Sequence, residues 1–466
     1  MTTDSTEVVE VGYCEGWDPQ ARAVVAPMSE WEARGRDESG APYAALLASH
    51  GQPRALFQVD WRNGYLGLVL FDAQVRRSRE YTYRQLEPGR LHLQRYQEWL
   101  HSADADADAR TEPEFPEDGH FTLTVRPDGR ADRVLRHGGT LRIGTDVPAE
   151  HRTVAKAEFG AWTAYVDAQL LRLDGLFTLV SNGVDGEVSE AAEPGWSAPV
   201  PLRPRHPEAL FTPGSRLGNH EERVAVITAP ESAGLLHLPT GSVIAADPLT
   251  VHDRDLPFTV TVPPGAYPVL IATMHREGRT RGETPAAMLR IRDTPTATWE
   301  LALRPGQDAR LLGTGEFYGF GVDTGMGCFL DASGRDVLPK LFQQHQREAD
   351  PRGAEQRPYA EVSDPDTGAN LIAYPSGAGD GSYPVWIGRD ADGEVTCFLA
   401  DMLLLHHAEA LPPTLPDTSV CLPAFPALPD DRREQPFTGP GATADFLAAQ
   451  LADAVDFLAE RRQSWS

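Results

Sequence analysis

The chain has 466 residues, of which 68 are Asp or Glu and 42 are Lys or Arg, giving a formal net charge of −26. This length can form at least two hydrophobic cores, and the acidic balance argues against a nucleic-acid backbone or an anionic membrane surface as the partner. The charge instead predicts a basic protein partner, although an acidic surface that only maintains solubility explains the same composition.

The cysteines give no sign of a metal-binding or redox motif. Cys14, Cys328, Cys397 and Cys421 are far apart in sequence and form no C-x-x-C pair, so neither a zinc ribbon nor a dense disulfide framework is expected. The first residues are acidic where a signal peptide has a basic start, and no stretch approaches the roughly 18 apolar residues of a membrane span. We therefore predict a cytoplasmic protein.

The N-terminal third contains two predicted β-hairpins. The first joins the apolar runs Ala55–Asp60 and Gly64–Phe71 through an Asn-Gly turn, which is typical of tight hairpins. The second joins the alternating run His120–Val125 to Arg133–Arg136 through a Pro-Asp-Gly turn.

A helix is predicted after these hairpins. Phe159, Trp162 and Val166 recur at three- and four-residue steps, the spacing of an amphipathic helix from about Val154 to Leu173. Prolines then crowd residues 194–207, which indicates a domain boundary near residue 205. Residues 1–205 are thus expected to form a mixed α/β domain that ends in a linker.

The middle of the chain, residues 206–410, is predicted to be rich in β-structure. Short apolar runs such as Val224–Thr228, Phe258–Val262 and Tyr267–Ile271 are separated by Pro- and Gly-containing turns. Such strands favour sandwich-like sheet packing. The predicted fold class is therefore α+β, with a mixed α/β N-terminal domain, a β-rich, sandwich-like C-terminal domain and a terminal helix.

The end of the chain divides into two predicted segments. Residues 411–440 are rich in proline and are expected to form an extended tether. Residues 441–466 form an amphipathic pattern that begins near Thr443, whose side chain is a suitable helix cap. This helix either packs on the chain's own core or docks on a partner.

Two glycine-rich segments contain carboxylates that are candidates for chemistry. If Asp323, Asp331 and Asp380 converged, they could hold Mg²⁺ or Ca²⁺ and activate water for hydrolysis, with Glu316 or Tyr383 as a proton carrier. The alternative is structural, because an Asp in a glycine turn often accepts hydrogen bonds from nearby backbone N–H groups. For Asp380 we favour this alternative.

Four short motifs carry a family resemblance. They are, in chain order, Gly241–Leu249, Pro264–Val269, Gly321–Gly325 and Ser376–Tyr383. In this order they resemble the bacterial family called domain of unknown function 4241, over roughly residues 215–405. The resemblance implies no established activity, cofactor or catalytic residue. It supports treating Asp247, Asp323 and Asp380 as one set, so that the candidate acidic site comprises these three together with Asp331 and Tyr383.

Two functions remain open at this point. The sequence has no G-x-S-x-G, Walker A or H-E-x-x-H motif. The first hypothesis is therefore a non-catalytic, protein-binding module of the bacterial cytoplasm, with an immunity-like or regulatory role. The alternative is a metal-dependent hydrolase that uses the clustered Asp residues and a divalent cation.

Overall fold

Strands dominate the protein, and the predicted α+β class is wrong. A computed structural model describes residues 6–101, 119–137, 139–148, 153–181, 196–218, 224–251, 255–276, 282–348 and 359–412. Within these ranges 50% of the residues lie in strands and 10% in helices, and two of the helices are α-helices. The prediction of a mixed α/β N-terminal region failed because most of its apolar residues alternate along paired strands rather than along helices.

The N-terminal region forms a single twelve-stranded sheet with one α-helix beside it. The helix is α1 (Glu30–Ser39). The strands are β1 (Glu7–Asp18), β2 (Ala23–Met28), β3 (Tyr43–Ser49), β4 (Gln52–Asp60), β5 (Tyr65–Phe71), β6 (Arg77–Glu87), β7 (Arg90–Trp99), β8 (His120–Val125), β9 (Arg130–His137), β10 (Thr140–Pro148), β11 (Thr153–Ala155) and β12 (Phe177–Val180).

This sheet is an antiparallel meander from β3 to β10, extended by β1, which pairs antiparallel with β3 and parallel with β12. Its order is β10-β9-β8-β7-β6-β5-β4-β3-β1-β12, while β2 pairs with β1 and β11 with β7. Both predicted hairpins are confirmed, since β4 pairs with β5 and β8 with β9. Strands β3 and β5 are buried on both faces, which matches their nearly continuous apolar sequences.

The predicted helix over residues 154–173 is wrong. Its apolar side chains Phe159, Trp162 and Val166 do pack against the sheet core, and the Trp162 ring stacks on Phe57 with ring centroids 4.6 Å apart. They do so from an irregular segment, because Gly160 adopts a positive φ of 86° that interrupts helical geometry. The three- and four-residue spacing therefore reflects a series of turns that cover one face of the sheet.

The C-terminal region contains the remaining strands and α2 (Leu338–Glu348). The strands are β13 (Arg216–Gly218), β14 (Ala225–Ile227), β15 (Glu231–Leu238), β16 (Val243–Ala246), β17 (Gly265–Arg276), β18 (Glu283–Arg290), β19 (Thr298–Leu301), β20 (Gly319–Val322), β21 (Met326–Asp331), β22 (Ala360–Ser363), β23 (Asn370–Pro375), β24 (Gly381–Arg389), β25 (Val395–Asp401) and β26 (Glu409–Leu411). Short 3-10 helices occupy Trp61–Asn63, Trp162–Ala164, Ala209–Phe211, Ala309–Leu311 and Ala332–Gly334.

Two antiparallel sheets share the main core of this region. A ten-stranded sheet has the order β19-β24-β25-β18-β17-β14-β13-β26, with β15 on β17 and β20 on β24, and a four-stranded sheet has the order β16-β21-β23-β22. Side chains from both sheets, such as Val269, Phe398, Phe329 and Ile372, belong to one buried cluster. The run Phe258–Val262, predicted as a strand, forms only an isolated bridge between Thr261 and Ser242.

Residues 199–202 and 309–316 connect the first sheet to the later ones. The Arg310 guanidinium donates to the Leu86 carbonyl at 3.0 Å, and Arg95 pairs with Glu316 at 3.3 Å. The backbone N–H of Leu202 donates to the Glu316 carbonyl at 2.9 Å, which fixes residues 199–202 next to residues 309–316. We call residues 199–202 the connecting segment and the whole contact region the junction.

Three earlier predictions are not tested by the described helices and strands. The tether (411–440) and the terminal helix (441–466) lie outside the described residues, apart from the first two tether residues. The domain boundary near residue 205 stays a prediction. Among the described helices, none is long and apolar enough to cross a membrane.

Candidate functional site

Two glycine loops lie side by side at one edge of the C-terminal sheets. The turn at residues 323–325 joins β20 to β21, and the loop at residues 376–380 joins β23 to β24. The Ser376 N–H donates to the Gly325 carbonyl at 3.1 Å, and Val322 pairs with Gly381 in the β20–β24 ladder. The structure thus brings together two of the predicted motifs, and we call them the paired glycine loops.

Asp247 links a third motif to these loops. Its side chain is 2% exposed and accepts hydrogen bonds from the backbone N–H of Asp323 at 2.9 Å and of Thr324 at 2.8 Å. The Thr324 hydroxyl and the Leu249 N–H also donate to it, each at 2.8 Å. Because both carboxylate oxygens are occupied by donors of the chain itself, Asp247 anchors the turn.

Asp331 is a second internal anchor, away from the paired glycine loops. Its fully buried side chain accepts hydrogen bonds from the Thr240 hydroxyl at 2.9 Å and the Ser333 hydroxyl at 2.6 Å. It stands at the end of β21, whereas Asp323 precedes that strand, and a strand of this length separates them by roughly 16 Å. The structure therefore does not bring Asp331 to Asp323.

Asp380 does not hold its own loop, contrary to the sequence-based interpretation. The residue is exposed, and no hydrogen bond to its carboxylate is found within the described ranges. The loop is held instead at the Gly379 carbonyl, which accepts from the Ser376 and Tyr383 hydroxyls, each at 2.8 Å. Burial, and to a smaller extent the nearby Asp380 charge, raises the pKa of Tyr383, so this phenol stays protonated at neutral pH.

Glycine is required at one position of this loop. Gly377 has a positive φ of 66°, and a Cβ added there would lie 2.8 Å from the Thr284 carbonyl oxygen. Both the backbone conformation and the close approach exclude a larger residue without a shift of the loop. The glycine at this position of the motif is thus explained by backbone conformation and packing.

The geometry gives no support to the metal-site prediction. No group of three or more His, Cys, Asp or Glu side chains that could hold a metal ion occurs in the described part of the chain. Glu316, proposed as a proton carrier, binds the Gly313 N–H at 2.7 Å and Arg95 at 3.3 Å in the junction. The assignment of Asp323, Asp331 and Asp380 as metal ligands stays a prediction, and the described residues contain no ligand cluster that supports it.

The fold and these loops define a class: a β-rich protein in which buried Asp side chains fix glycine turns between antiparallel strands. Residues 236–400 match the family model described as "Protein of unknown function (DUF4241)". The resemblance seen in the sequence motifs is thereby confirmed for this part of the chain. No curated protein and no solved structure gives a significant match.

Sequence reasoning missed an exposed aromatic residue on α1. Trp31 is 85% exposed and lies between Glu30 and Glu32 in the first turn of the helix. The helix was not predicted because it has little apolar content, with only Ala33 buried. Its boundaries were nevertheless readable, since Ser29 caps the Glu32 N–H at 3.2 Å and is followed three residues later by a Glu, the pattern of a capping box.

Proposed function

We propose that the protein is a non-catalytic, protein-binding module that binds a basic protein through α1. The observation that carries the proposal is Trp31, which exposes 85% of its surface to solvent between two acidic side chains. Trp is among the residues that contribute most to protein–protein binding energy when an interface covers them. A surface of this composition fits a partner with an apolar recess bordered by Lys or Arg.

The acidic side chains next to Trp31 are available to such a partner. Glu30 pairs with Arg34 at 3.2 Å and Glu32 with Arg36 at 3.1 Å, with the side chains of both glutamates more than 40% exposed. Exposed pairs of this kind contribute little to stability, so exchanging them for partner contacts has a small energetic penalty. The Ser181 hydroxyl, and then Arg34, lower the pKa of Glu30, which keeps it ionised at neutral pH.

The overall charge of the chain favours the same type of partner. A net charge of −26 attracts a basic protein over about one Debye length, roughly 30 Å at an ionic strength of about 0.01 M, and accelerates its association. We place this interaction in the bacterial cytoplasm, in an immunity-like or regulatory role. The matched family is described as of unknown function and supplies no activity that competes with this proposal.

The test is capture of the partner by the full chain with a matched surface control. The tagged protein, Trp31→Ala and Leu235→Ala are each incubated with host lysate at an ionic strength of about 0.01 M, where charges act over roughly 30 Å. Leu235 is a suitable control because it is also an exposed apolar residue, at 52%, but lies on β15. We expect a basic protein that is recovered with wild type and with Leu235→Ala, is lost with Trp31→Ala and is released by salt.

Two results contradict the proposal. One is recovery of no stoichiometric partner at low salt. The other is equal recovery of the same protein with Trp31→Ala and wild type, which would place the interface elsewhere. Because Trp31 makes no core contact, circular dichroism of Trp31→Ala should match wild type and exclude misfolding as the cause of lost binding.

A further inference from the structure

A concave cavity opens at the junction and is independent of the surface on α1. It has a volume of about 450 Å³, within the range of small-molecule sites. Its walls come from the β4–β5 turn, β6, the connecting segment and the 3-10 helix that begins at Ala309. The described residues that line it are Trp61, Arg62, Asn63, Gly64, Arg84, Gln85, Pro199, Pro201, Ala309 and Arg310.

The lining is basic in a strongly acidic protein. Three arginines and no Asp or Glu occur among its described lining residues, whereas the whole chain has 68 acidic against 42 basic side chains. A random sample of this surface would contain more carboxylates than guanidinium groups. The reversal of sign inside one cavity indicates an anionic ligand.

Arg84 is the most unusual member of this set. Its side chain is 3% exposed, and its Nε donates to the Gln94 amide oxygen at 3.1 Å. Its other donors reach only carbonyl oxygens, those of Asn63 at 3.3 Å and of Pro199 and Leu312 at 3.4 Å. No carboxylate forms an ion pair with it within the described ranges, although the nearby Asp60 charge acts to raise the pKa of Arg84.

A buried guanidinium without a carboxylate is costly, since buried charges are ordinarily paired. Burial lowers the pKa of Arg84, yet an arginine stays charged at any physiological pH. The Tyr65 ring, 5.1 Å from the guanidinium carbon, offsets a part of this penalty. The rest is left for a ligand of opposite charge to offset.

The charged groups around the cavity leave an excess of positive charge. Arg310 is neutralised by Asp308, which its Nη2 contacts at 2.6 Å. Arg62 is exposed and forms no ion pair with the described residues, and Arg84 forms none either, although the nearby Asp60 charge offsets a part of its charge. The cavity lining therefore has an excess of positive charge, which favours a ligand such as a phosphate monoester, whose charge at neutral pH is about −1.5 to −2.

The remaining walls suit an organic group attached to that phosphate. Trp61, Pro199 and Pro201 supply flat apolar surface, while Gln85 has a side-chain amide that forms no hydrogen bond to the described residues. The Trp61 indole is fixed by its N–H, which donates to Asp37 at 2.6 Å, and by the Lys156 ammonium 3.8 Å from the ring centroid. A preorganised aromatic ring of this kind stacks well on a planar group.

We propose that the junction cavity binds a small phosphate monoester that carries a planar organic group. Arg62 and Arg84 contact the phosphate oxygens, and Trp61 contacts the organic part. Because residues of the first sheet and of the connecting segment line the same cavity, a bound ligand contacts both parts of the chain. The proposal concerns binding alone and does not depend on the protein partner of α1.

The test uses the full chain with defined probes. AMP and phenyl phosphate are titrated by isothermal calorimetry and by thermal denaturation, with adenosine as the control that lacks the phosphate. We expect both phosphates to bind and to raise the melting temperature, adenosine to do neither, and inorganic phosphate to compete. Arg62→Gln should weaken binding about tenfold or more, because it removes an ionised donor from an exposed position without disturbing the fold.

The matched control is Arg347→Gln on α2, which makes the same change of charge at an exposed position that does not line the cavity. It should bind the probes like wild type. The proposal is overturned if neither phosphate binds, if adenosine binds as tightly as AMP, or if Arg62→Gln and Arg347→Gln weaken binding equally. In the last case the phosphates respond only to net charge.

Discussion

The paired glycine loops and the junction cavity use charged side chains in opposite ways. At the loops, Asp247 accepts hydrogen bonds from two backbone N–H groups of the neighbouring turn, the Thr324 hydroxyl and the Leu249 N–H. At the junction, Arg84 is equally buried, but its hydrogen bonds are longer, at 3.1 to 3.4 Å, and it lines a cavity. A buried charge that the chain holds with short hydrogen bonds is structural, whereas a buried charge that lines a cavity is available to a ligand.

The hypothesis that acidic residues in glycine-rich motifs form a reactive site stays a prediction. Three of the four sequence motifs converge, and the buried carboxylate among them, Asp247, is occupied by backbone donors. The motifs indicated which Asp residues lie close together. The hydrogen-bond donors around each carboxylate indicate whether it has a structural role.

The largest effect is expected from removing the loop anchor. Asp247→Ala leaves the N–H groups of Asp323, Thr324 and Leu249 without their acceptor, and we expect it to lower the free energy of unfolding by about 2 to 4 kcal/mol. Urea denaturation followed by tryptophan fluorescence measures this loss. If the variant kept wild-type stability, the anchor would be replaceable by water and the comparison with Arg84 would lose its basis.

Asp401 is a carboxylate between the two extremes. It is 6% exposed and accepts a hydrogen bond from the Leu403 N–H at 2.8 Å. Burial raises its pKa to about 6. Because the folded state binds this proton more tightly than the unfolded chain, the stability that the proton contributes is present below pH of about 4 and is lost as the pH rises to about 6.

We therefore expect the difference in unfolding free energy between wild type and Asp401→Asn to shift by about 2 to 3 kcal/mol in favour of the variant between pH 4 and pH 7. Denaturation curves of both proteins at several pH values give this difference and cancel the other titrating groups. A difference that does not vary with pH would mean that Asp401 is as well solvated by the protein as Asp247.

A smaller change is expected at the junction. Arg84→Met keeps much of the side-chain volume but removes the charge, and buried charges replaced by apolar residues often change stability little. We expect the free energy of unfolding to stay within about 1 kcal/mol of wild type, while binding of AMP is abolished. A loss as large as that of Asp247→Ala would instead identify Arg84 as a structural clamp.

The smallest effect is expected at Asp380. Its carboxylate is exposed and forms no hydrogen bond with the described residues, so Asp380→Ala should change stability by less than about 0.5 kcal/mol. Thermal denaturation with and without Mg²⁺ or Ca²⁺ measures both the change and any response to a cation. A stabilisation by cation that disappears in the variant would revive the metal-site hypothesis.

Local turn chemistry explains which strands could be predicted. The hairpin β4–β5 was predicted from its Asn-Gly turn, where Gly64 has a positive φ of 58°, and β8–β9 from its Pro-Asp-Gly turn, where Gly129 has a φ of 78°. In both places the sequence-local requirement for a left-handed residue is stronger than any tertiary effect. The segment around Trp162 failed because its spacing was imposed by the sheet beneath it.

The candidate sites divide along the same line. The proximity of Asp247 to Asp323 followed from ordered motifs, whereas the junction cavity is built from four segments between Trp61 and Arg310. No local pattern connects these segments, since each contributes only two to four residues to the lining. A basic cavity assembled in this way becomes visible only when the chain is folded.

The contacts of Arg84 have a consequence for the order in which the chain folds. They span 115 residues to Pro199 and 228 residues to Leu312, so the cavity forms only after these distant parts of the chain have folded against Arg84. Contacts of such sequence separation form late and slowly, because the entropy of closing a long loop precedes any gain. An anion that binds in this cavity therefore recognises the folded chain.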